Sequence, residues 1–245
     1  MTLFEALRDR CRPEWEAYTR HEFVEQLGQG SLPLAVFRDY LIQDFHFLVQ
    51  FARANAVATF KSRTLADITA AHRATGAILA ETELHLRLTE RWGIPRAELE
   101  AAAEKQATVA YSRYVLDCGM AGDLLDLHVA LAPCTIGYAE IGARLQPRLT
   151  EHGGPDGEGD EHPYAEWISE YSGAEFTAAS RASSAQLDQL AAGGLTERRL
   201  DELTSVFCTA TRLEADFWQQ ALDSAGPPSS VGARPGSIDV RSAHP

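Results

Sequence analysis

The 245-residue chain lacks the features that mark several large classes of protein. It has 22 basic residues against 35 acidic ones, a formal net charge of −13, whereas nucleic-acid-binding proteins need clustered Lys and Arg to neutralise phosphates. The same acidic excess disfavours adsorption to an anionic membrane surface. The sequence contains no Gly-rich phosphate loop, nucleophile-elbow serine or zinc-ligand spacing. We therefore expect neither a nucleic-acid partner nor a membrane partner.

Long uncharged apolar runs and paired cysteines are also missing. The first 20 residues carry eight charged side chains, so the apolar segment of a secretion signal is absent there. We find no window near the roughly 18 uncharged apolar residues that span a membrane. The four cysteines are scattered without a CxxC spacing. We expect a cytoplasmic protein with reduced thiols.

The hydrophobic pattern is helical almost throughout, and the alternating runs typical of β-strands are absent. A Gly-rich turn before Pro33 predicts a helix that runs to about Phe60. Further helices are predicted over about 64–91, 96–118, 123–145, 163–171, 174–192 and 196–223. Residues 152–160 read as a Gly-rich loop, and residues 224–245 as a flexible tail rich in Pro, Gly and Ser. The prediction is one all-α domain over 1–223, followed by that tail.

Two acidic residues stand among apolar neighbours on predicted helices. Asp44 shares its helical face with Phe37, Tyr40, Leu41, Phe47, Leu48 and Phe51. Glu214 shares its face with Phe207, Ala210, Thr211, Phe217, Trp218 and Ala221. Because burying an unpaired charge is costly, each carboxyl must pair with another group or bind a ligand. A purely structural pair would satisfy either acid equally well.

Cys134 lies in a charge-free run, residues 127–139, directly after Pro133. A proline inside a helix removes one backbone hydrogen bond, which can open a pocket or merely bend the helix. Burial alone would raise the pKa of the thiol and make it inert. A reactive Cys134 therefore needs a base, and Glu214 would serve if burial raised its own pKa. A small buried hydrophobic residue is the simpler alternative.

A second arrangement points to metal chemistry instead. Glu81 and His85 are spaced i and i+4 on one predicted helix, and such pairs can ligate a metal in helical bundles. A di-metal site usually has the Glu-x-x-His spacing on two helices, and that spacing is absent. A metal-dependent oxidase is kept as an alternative enzyme.

Four segments, in order and spacing, resemble the TenA family (thiaminase II, or aminopyrimidine aminohydrolase). They are GQGSLPLAVFRDYLIQD at 28–44, Tyr111 within AYS, LAPCTIGYAEIG at 131–142 and EADFW at 214–218. The resemblance implies an all-α, haem-oxygenase-like helical bundle without haem, a metal or another cofactor, and a homotetramer. It also implies hydrolysis of 4-amino-5-aminomethyl-2-methylpyrimidine to hydroxymethylpyrimidine for thiamin salvage, with cleavage of thiamin as a side activity.

The resemblance further assigns roles to residues. It implies Cys134 as the nucleophile, Glu214 as the acid and base, and Asp44 as the group that holds the aminopyrimidine edge. The remaining substrate-binding residues would be Tyr138 and Tyr164, which orient the substrate, and Tyr111 and Phe47, which line the ring site. Phe47 lacks a hydroxyl that some relatives have, and residues 135–137 are less aromatic than in many relatives, so the choice of substrate stays open. A non-catalytic pyrimidine-binding regulatory module is a further alternative, although binding a pyrimidine needs no thiol.

Overall fold

The computed structural model describes residues 1–152 and 162–224. These residues form twelve α-helices and one π-helical turn, and none of them lies in a β-strand. The helices are α1 Leu3–Arg10, α2 Arg12–Thr19, α3 Glu22–Gly28, α4 Leu34–Lys61, α5 Leu65–Arg91, α6 Arg96–Ala101, α7 Gln106–Ala121, α8 Leu124–Ala132, α9 Tyr138–His152, α10 Ala165–Ser172, α11 Ala174–Leu190 and α12 Glu197–Asp223. This confirms the all-α class. Most of the predicted loop, from 153, and the tail from 225 lie outside the described residues.

The helix predicted over 96–118 is two helices, α6 and α7, and the single-helix prediction is wrong. The side chain of Gln43 binds the backbone of the intervening segment. Its Nε2 donates to the Ala103 carbonyl at 3.1 Å, and its Oε1 accepts from the Lys105 amide at 2.8 Å. The Thr108 hydroxyl donates to the same Oε1 at 2.7 Å. A buried amide from α4 thus satisfies the backbone groups that a continuous helix would have paired internally.

The helix that contains Cys134 is widened at Pro133, where the sequence predicted that the helix is disturbed. Asp123 begins α8 with a capping box to Asp126, and a π-helical turn, Pro133–Gly137, joins α8 to α9. The Tyr18 hydroxyl donates to the Pro133 carbonyl at 3.3 Å. A Cβ on Gly137 would lie 2.3 Å from the Tyr18 ring, so only glycine lets that ring pack here. Such π-bulges are frequent at functional sites.

The merged helix Leu124–Thr150 is long and apolar enough, by length and composition, to cross a membrane. However, 67% of its most apolar window is buried inside the fold. That burial is typical of a core helix in a helical bundle. It agrees with the prediction that residues 127–139 lie in a helix buried on most sides.

The long helix α4 packs against α5 and α7, and α12 packs against α2, α7 and α8. Between them lies an aromatic cluster centred on Trp218, whose ring is 4.8 Å from Phe23, 5.3 Å from Tyr40 and 5.2 Å from Tyr138. This core joins α3, α4, α9 and α12. The Asp44 face of α4 and the Glu214 face of α12 therefore meet at the centre of the bundle.

Cys11 and Cys208 form a disulfide across 197 residues of sequence, with their Cα atoms 5.5 Å apart. This corrects the expectation that all four thiols are reduced. The junction of α1 and α2 packs on α12 and brings the two side chains together, which no local spacing could have revealed. Cys118 and Cys134 lie outside this disulfide.

Candidate active site

Asp44 and Glu214 are both buried, with 4% and 1% of their surfaces exposed. Burial raises the pKa of Asp44 to about 7 and that of Glu214 to about 8. The negative charge of Asp44 contributes to the rise at Glu214, so the two carboxyls lie within electrostatic reach of each other. The structure brings together two acids that are 170 positions apart in the chain.

Glu214 has a defined partner on α7. The Tyr111 hydroxyl donates to Glu214 Oε1 at 2.8 Å, and this hydrogen bond works against the raised pKa of the acid. The Tyr111 ring stacks on Phe47, with ring centroids 4.9 Å apart and an angle of 20° between the planes. One tyrosine thus links the candidate acid to the aromatic wall that begins on α4.

Cys134 is half-buried on the π-helical turn. It lies near two tyrosines, Tyr18 and Tyr111. Burial, followed by the negative charges of Glu214 and Cys134, raises the pKa values of both Tyr18 and Tyr111 above their ordinary range. Both hydroxyls therefore lie near both candidate catalytic groups. The thiol and the carboxyl that were predicted to act together share one environment.

Tyr138 is the first residue of α9 and lies within electrostatic reach of both acids. Burial, followed by the charges of Tyr40, Asp44 and Glu214, raises its pKa well above the ordinary value. Its ring packs 4.8 Å from Tyr171 and 6.0 Å from Trp167. This location suits the predicted role of orienting the substrate and the catalytic groups.

Tyr164 is placed differently from the other predicted residues. Its hydroxyl donates to the Leu32 carbonyl in the turn before α4. Its ring stacks parallel to Trp92, with centroids 5.8 Å apart, and lies 4.6 Å from Phe37. Tyr164 therefore supports the start of α4, and its role in orienting substrate stays a prediction.

The basic side chain that contacts Asp44 is a histidine and not a permanently charged lysine or arginine. His85 Nδ1 lies 3.4 Å from Asp44 Oδ2, and His85 Nε2 lies 2.9 Å from the Leu41 carbonyl oxygen. His85 entered the sequence analysis only as a metal ligand together with Glu81, whose side chain lies outside the described part of the structure. Its contact with Asp44 could not be read from spacing because it joins two helices.

A metal centre finds little support in the described residues. The one group there with three potential ligand atoms within 4.8 Å of one another is Cys11, Glu14 and Cys208. Both sulfurs of that group belong to the disulfide. His85 lies elsewhere, against Asp44 and Leu41.

Four further residues complete the site, and sequence reasoning missed their roles. They are Tyr18, Tyr40, Trp167 and Trp218. Tyr40 accepts a hydrogen bond from Trp167 Nε1 at 3.2 Å and hydrogen-bonds to Asp44. Its position four residues before Asp44 was a usable signal, because such residues adjoin on a helix. Tyr18 gave no signal, since it reaches the site from α2.

The arrangement divides into two ends. At the Asp44 end, a buried carboxyl, Tyr40 and His85 offer hydrogen bonds to a planar polar edge. At the Glu214 end, a carboxyl whose pKa lies near that of an ordinary thiol is bonded to Tyr111, and Cys134 lies near the same tyrosine. Such a pair can exchange a proton and form a thiolate nucleophile. Aromatic rings enclose both ends and exclude water.

Comparisons with known proteins identify relatives over most of the chain. The model of the TENA/THI-4/PQQC family matches residues 8–224. An uncharacterized protein of Haemophilus influenzae is 37% identical over 226 residues, which cover 91% of this chain and all of the relative. The aminopyrimidine aminohydrolase of Halalkalibacterium halodurans is 35% identical over 224 residues, which cover 91% of this chain and 96% of that enzyme.

Solved structures confirm the fold. A protein of Silicibacter sp. TM1040, described as a TenA family transcription regulator, is 40% identical with a TM-score of 0.80, covering 90% of this chain and 96% of that one. A protein of Shewanella denitrificans with a heme oxygenase-like fold superimposes with a TM-score of 0.69 at 12% identity, covering 91% and 93% of the two chains. The second likeness concerns the fold alone, and it confirms the haem-oxygenase-like helical bundle.

Proposed function

Because the chain belongs to the TENA/THI-4/PQQC family, we propose that it is a thiamin-salvage hydrolase. Its substrate would be 4-amino-5-aminomethyl-2-methylpyrimidine, converted with water to hydroxymethylpyrimidine and ammonia, with cleavage of thiamin as a side activity. The 35% identity to an aminopyrimidine aminohydrolase over nearly the whole of both chains supports this substrate class. The observation that carries the proposal is the buried Glu214, held by Tyr111, with the Cys134 thiol near the same tyrosine.

Asp44 would recognise the substrate. An aminopyrimidine presents an amino N–H donor beside a ring nitrogen acceptor, and one carboxyl group can meet both in a bidentate contact. Burial strengthens such hydrogen bonds because water does not compete for them. The stacked pair of Phe47 and Tyr111 offers a flat surface for the ring.

In the first half of the reaction, Glu214 in its carboxylate form takes the proton of the Cys134 thiol. The thiolate sulfur then forms a bond to a ring carbon of the pyrimidine. The displaced electron pair moves through the ring and breaks the bond between the exocyclic methylene and the amine, and Glu214 returns its proton to the departing nitrogen. A pKa of about 8 suits both transfers, because it lies close to that of a thiol.

In the second half, water attacks the methylene carbon and gives a proton to Glu214. The electron pair returns to the ring, the sulfur–carbon bond breaks, and the aromatic hydroxymethylpyrimidine leaves. Glu214 then protonates the released thiolate, which restores the enzyme. The net reaction consumes one water and releases one ammonia.

The test is incubation of the purified protein with the aminomethylpyrimidine and, separately, with thiamin. Chromatography would detect hydroxymethylpyrimidine, and a coupled assay would detect ammonia. We expect the aminomethylpyrimidine to be hydrolysed faster than thiamin. Absence of hydroxymethylpyrimidine from both incubations would refute the proposal.

A pyrimidine-binding regulator remains the alternative outside catalysis, since one similar structure is described as a transcription regulator. That alternative predicts tight pyrimidine binding without turnover. The thiol beside Glu214 argues for catalysis, because recognition of the ring needs no thiol. For the metal-dependent oxidase, elemental analysis decides, since stoichiometric iron or manganese would support that alternative.

We further propose a homotetramer located in the cytoplasm. Large apolar side chains are exposed along the end of α4 and on α5, among them Phe60 at 83%, Leu65 at 80% and Leu79 at 55%. Large apolar side chains exposed to this degree support subunit association. A nucleophilic thiol at Cys134 must stay reduced, which supports a reducing compartment, although a disulfide such as Cys11–Cys208 is rare there. Light scattering and cell fractionation test the two statements.

A further inference from the structure

A ring nitrogen of His85, on the neighbouring long helix α5, lies against the Asp44 carboxyl. His85 on α5 is buried, with 6% of its surface exposed, and its Nδ1 lies 3.4 Å from Asp44 Oδ2. In residues 1–152 and 162–224, no other basic side chain lies within 4.0 Å of this carboxyl. Asp44 Oδ2 is also a buried oxygen without a hydrogen-bond partner among the described groups. The contact with His85 therefore determines whether Asp44 Oδ2 has a hydrogen-bond partner.

The Leu41 carbonyl determines which nitrogen of His85 carries hydrogen. A carbonyl oxygen only accepts, so Nε2, which is 2.9 Å away, must donate. Neutral His85 consequently turns the lone pair of Nδ1 toward Asp44. A lone pair facing a carboxylate is unfavourable, so the contact requires one proton between Nδ1 and Oδ2. The pair holds the same number of protons whether this proton resides on the Asp44 carboxyl or on the His85 imidazole.

The surroundings favour the proton on the acid. The titratable groups around the pair come from three helices and are Tyr40 on α4, Tyr138 on α9 and Glu214 on α12. All of them are neutral or negative, so none stabilises a carboxylate by its charge. Burial raises the pKa of Asp44 to about 7 and lowers that of His85. Both directions favour a carboxylic acid beside a neutral imidazole.

We propose that His85 is a positioning residue that keeps one proton at Asp44, so that this carboxyl meets the aminopyrimidine as an acid. A carboxylic acid accepts from the amino group and donates to the ring nitrogen, whereas a carboxylate offers the ring nitrogen no donor. On binding, the ring nitrogen replaces His85 Nδ1 as the acceptor of that proton. No proton is then taken from or released to solvent. The inference rests on the proposed function for the identity of the ligand.

Calorimetric titration with 4-amino-5-hydroxymethyl-2-methylpyrimidine tests the proposal without turnover. Titrations in two buffers of different ionisation enthalpy report the protons exchanged on binding. His85→Gln places an amide that can still donate to the Leu41 carbonyl but does not reach Asp44. His85→Asn places an amide at the position of Nδ1 and releases Leu41. His72→Gln, at an exposed site on the same helix, is the matched control.

At about pH 6.5, just below the raised pKa of Asp44, we expect His85→Gln to lose about threefold in affinity, because a fall of about one unit in the pKa of Asp44 leaves most of the free carboxyl ionised. It should also take up a proton on binding, because Asp44 without its acceptor ionises at lower pH. His85→Asn should keep part of the affinity. The wild type and His72→Gln should bind with little net proton exchange.

Equal affinity and equal proton exchange for wild type and His85→Gln at every pH would overturn the role of His85. Failure of the wild type to bind the pyrimidine would instead refute the proposed function. If both variants fail to fold, nitrogen NMR of ¹⁵N-histidine-labelled wild type decides. We expect Nε2 of His85 to be protonated and the Nδ1 signal to move on addition of the pyrimidine. An unprotonated Nε2 would overturn the proposal.

Discussion

The two buried carboxyls of the site differ in their partners more than in their burial. Asp44 and Glu214 are both nearly inaccessible to solvent, and burial raises the pKa of each. Glu214 accepts a hydrogen bond from the hydroxyl of Tyr111, whereas Asp44 faces Tyr40 and the ring nitrogen of His85. A thiol, that of Cys134, lies near the Glu214 end.

This difference separates recognition from chemistry. A carboxyl that shares its proton with a fixed imidazole keeps one protonation state. It is therefore suited to hold the polar edge of a substrate. A carboxyl with a titrating pKa near that of a thiol is suited to give and take protons. We therefore expect substitutions at the two ends to change different kinetic quantities.

The largest effect is expected at the nucleophile. Cys134→Ser should lower kcat by about 10³-fold or more, because a hydroxyl is a far weaker nucleophile than a thiolate. Binding of hydroxymethylpyrimidine should persist, as measured by calorimetry. Cys118→Ser, the other cysteine outside the disulfide, is the control and should retain full activity. Unchanged turnover by Cys134→Ser would remove the thiol from the mechanism.

Glu214→Gln should lower kcat by about 10²- to 10³-fold, in the range of general acid–base contributions, while KM changes little. The amide can still accept from Tyr111 but cannot carry the proton. Glu202→Gln, on the same helix and partly exposed, should behave as wild type. A drop in substrate affinity with kcat preserved would place Glu214 in recognition instead.

The same variant should change the dependence of stability on pH. Because the pKa of Glu214 is 4.5 in an unfolded chain and about 8 in the fold, the folded state holds a proton that the unfolded state releases between these values. Wild-type stability should therefore fall as pH rises from about 5 to about 8. Chemical denaturation should show a shallower fall for Glu214→Gln, which becomes the more stable protein near pH 8. Equal slopes would contradict the burial of an acidic Glu214.

Asp44→Ala should weaken pyrimidine binding by about 30-fold, since it removes a bidentate contact worth about 2 kcal/mol. The change should appear in Kd and KM, measured by calorimetry and steady-state kinetics, more than in kcat. Asp39→Ala, on the same helix but paired with Lys105, serves as the control. Wild-type affinity in Asp44→Ala would refute its role in recognition.

The smallest effect is expected from Tyr111→Phe, which removes only the hydroxyl that bonds to Glu214. We expect about a fivefold to tenfold loss of kcat, consistent with one hydrogen bond of about 1 kcal/mol, with the ring stacking on Phe47 preserved. Tyr114→Phe, one turn further along α7, should leave kcat unchanged. An identical loss in both variants would show that the effect comes from α7 rather than from Glu214.

Much of the fold followed from local pattern. Pro33 and the apolar periodicity correctly predicted α4, and Asp123 correctly predicted the start of α8, because caps and helical faces are local properties. The break between α6 and α7 was missed, since it depends on Gln43 from another helix. The disulfide of Cys11 and Cys208 was missed for the same reason, because its partners meet only after the helices pack.

The candidate site shows the same division. Asp44 and Glu214 could be identified as unusual because their own helices surround them with apolar residues. The structure also explains two positions of the 131–142 motif that lie outside the site. Glu140 accepts a hydrogen bond from Trp15 Nε1 at 3.1 Å, and a Cβ on Gly142 would lie 2.5 Å from the Tyr171 backbone. His85 and Tyr18 reach the site across helix interfaces, so their contacts with Asp44 and Pro133 could not be inferred from spacing.

The most direct test of the separation between recognition and chemistry compares Asp44→Ala with Glu214→Gln in one steady-state experiment on the aminomethylpyrimidine. We predict that replacement of the Asp44 carboxyl by the methyl group of alanine, which can neither accept nor donate, mainly raises KM and that Glu214→Gln mainly lowers kcat. Equal losses of kcat with unchanged KM in both variants would contradict the division of the site into two ends.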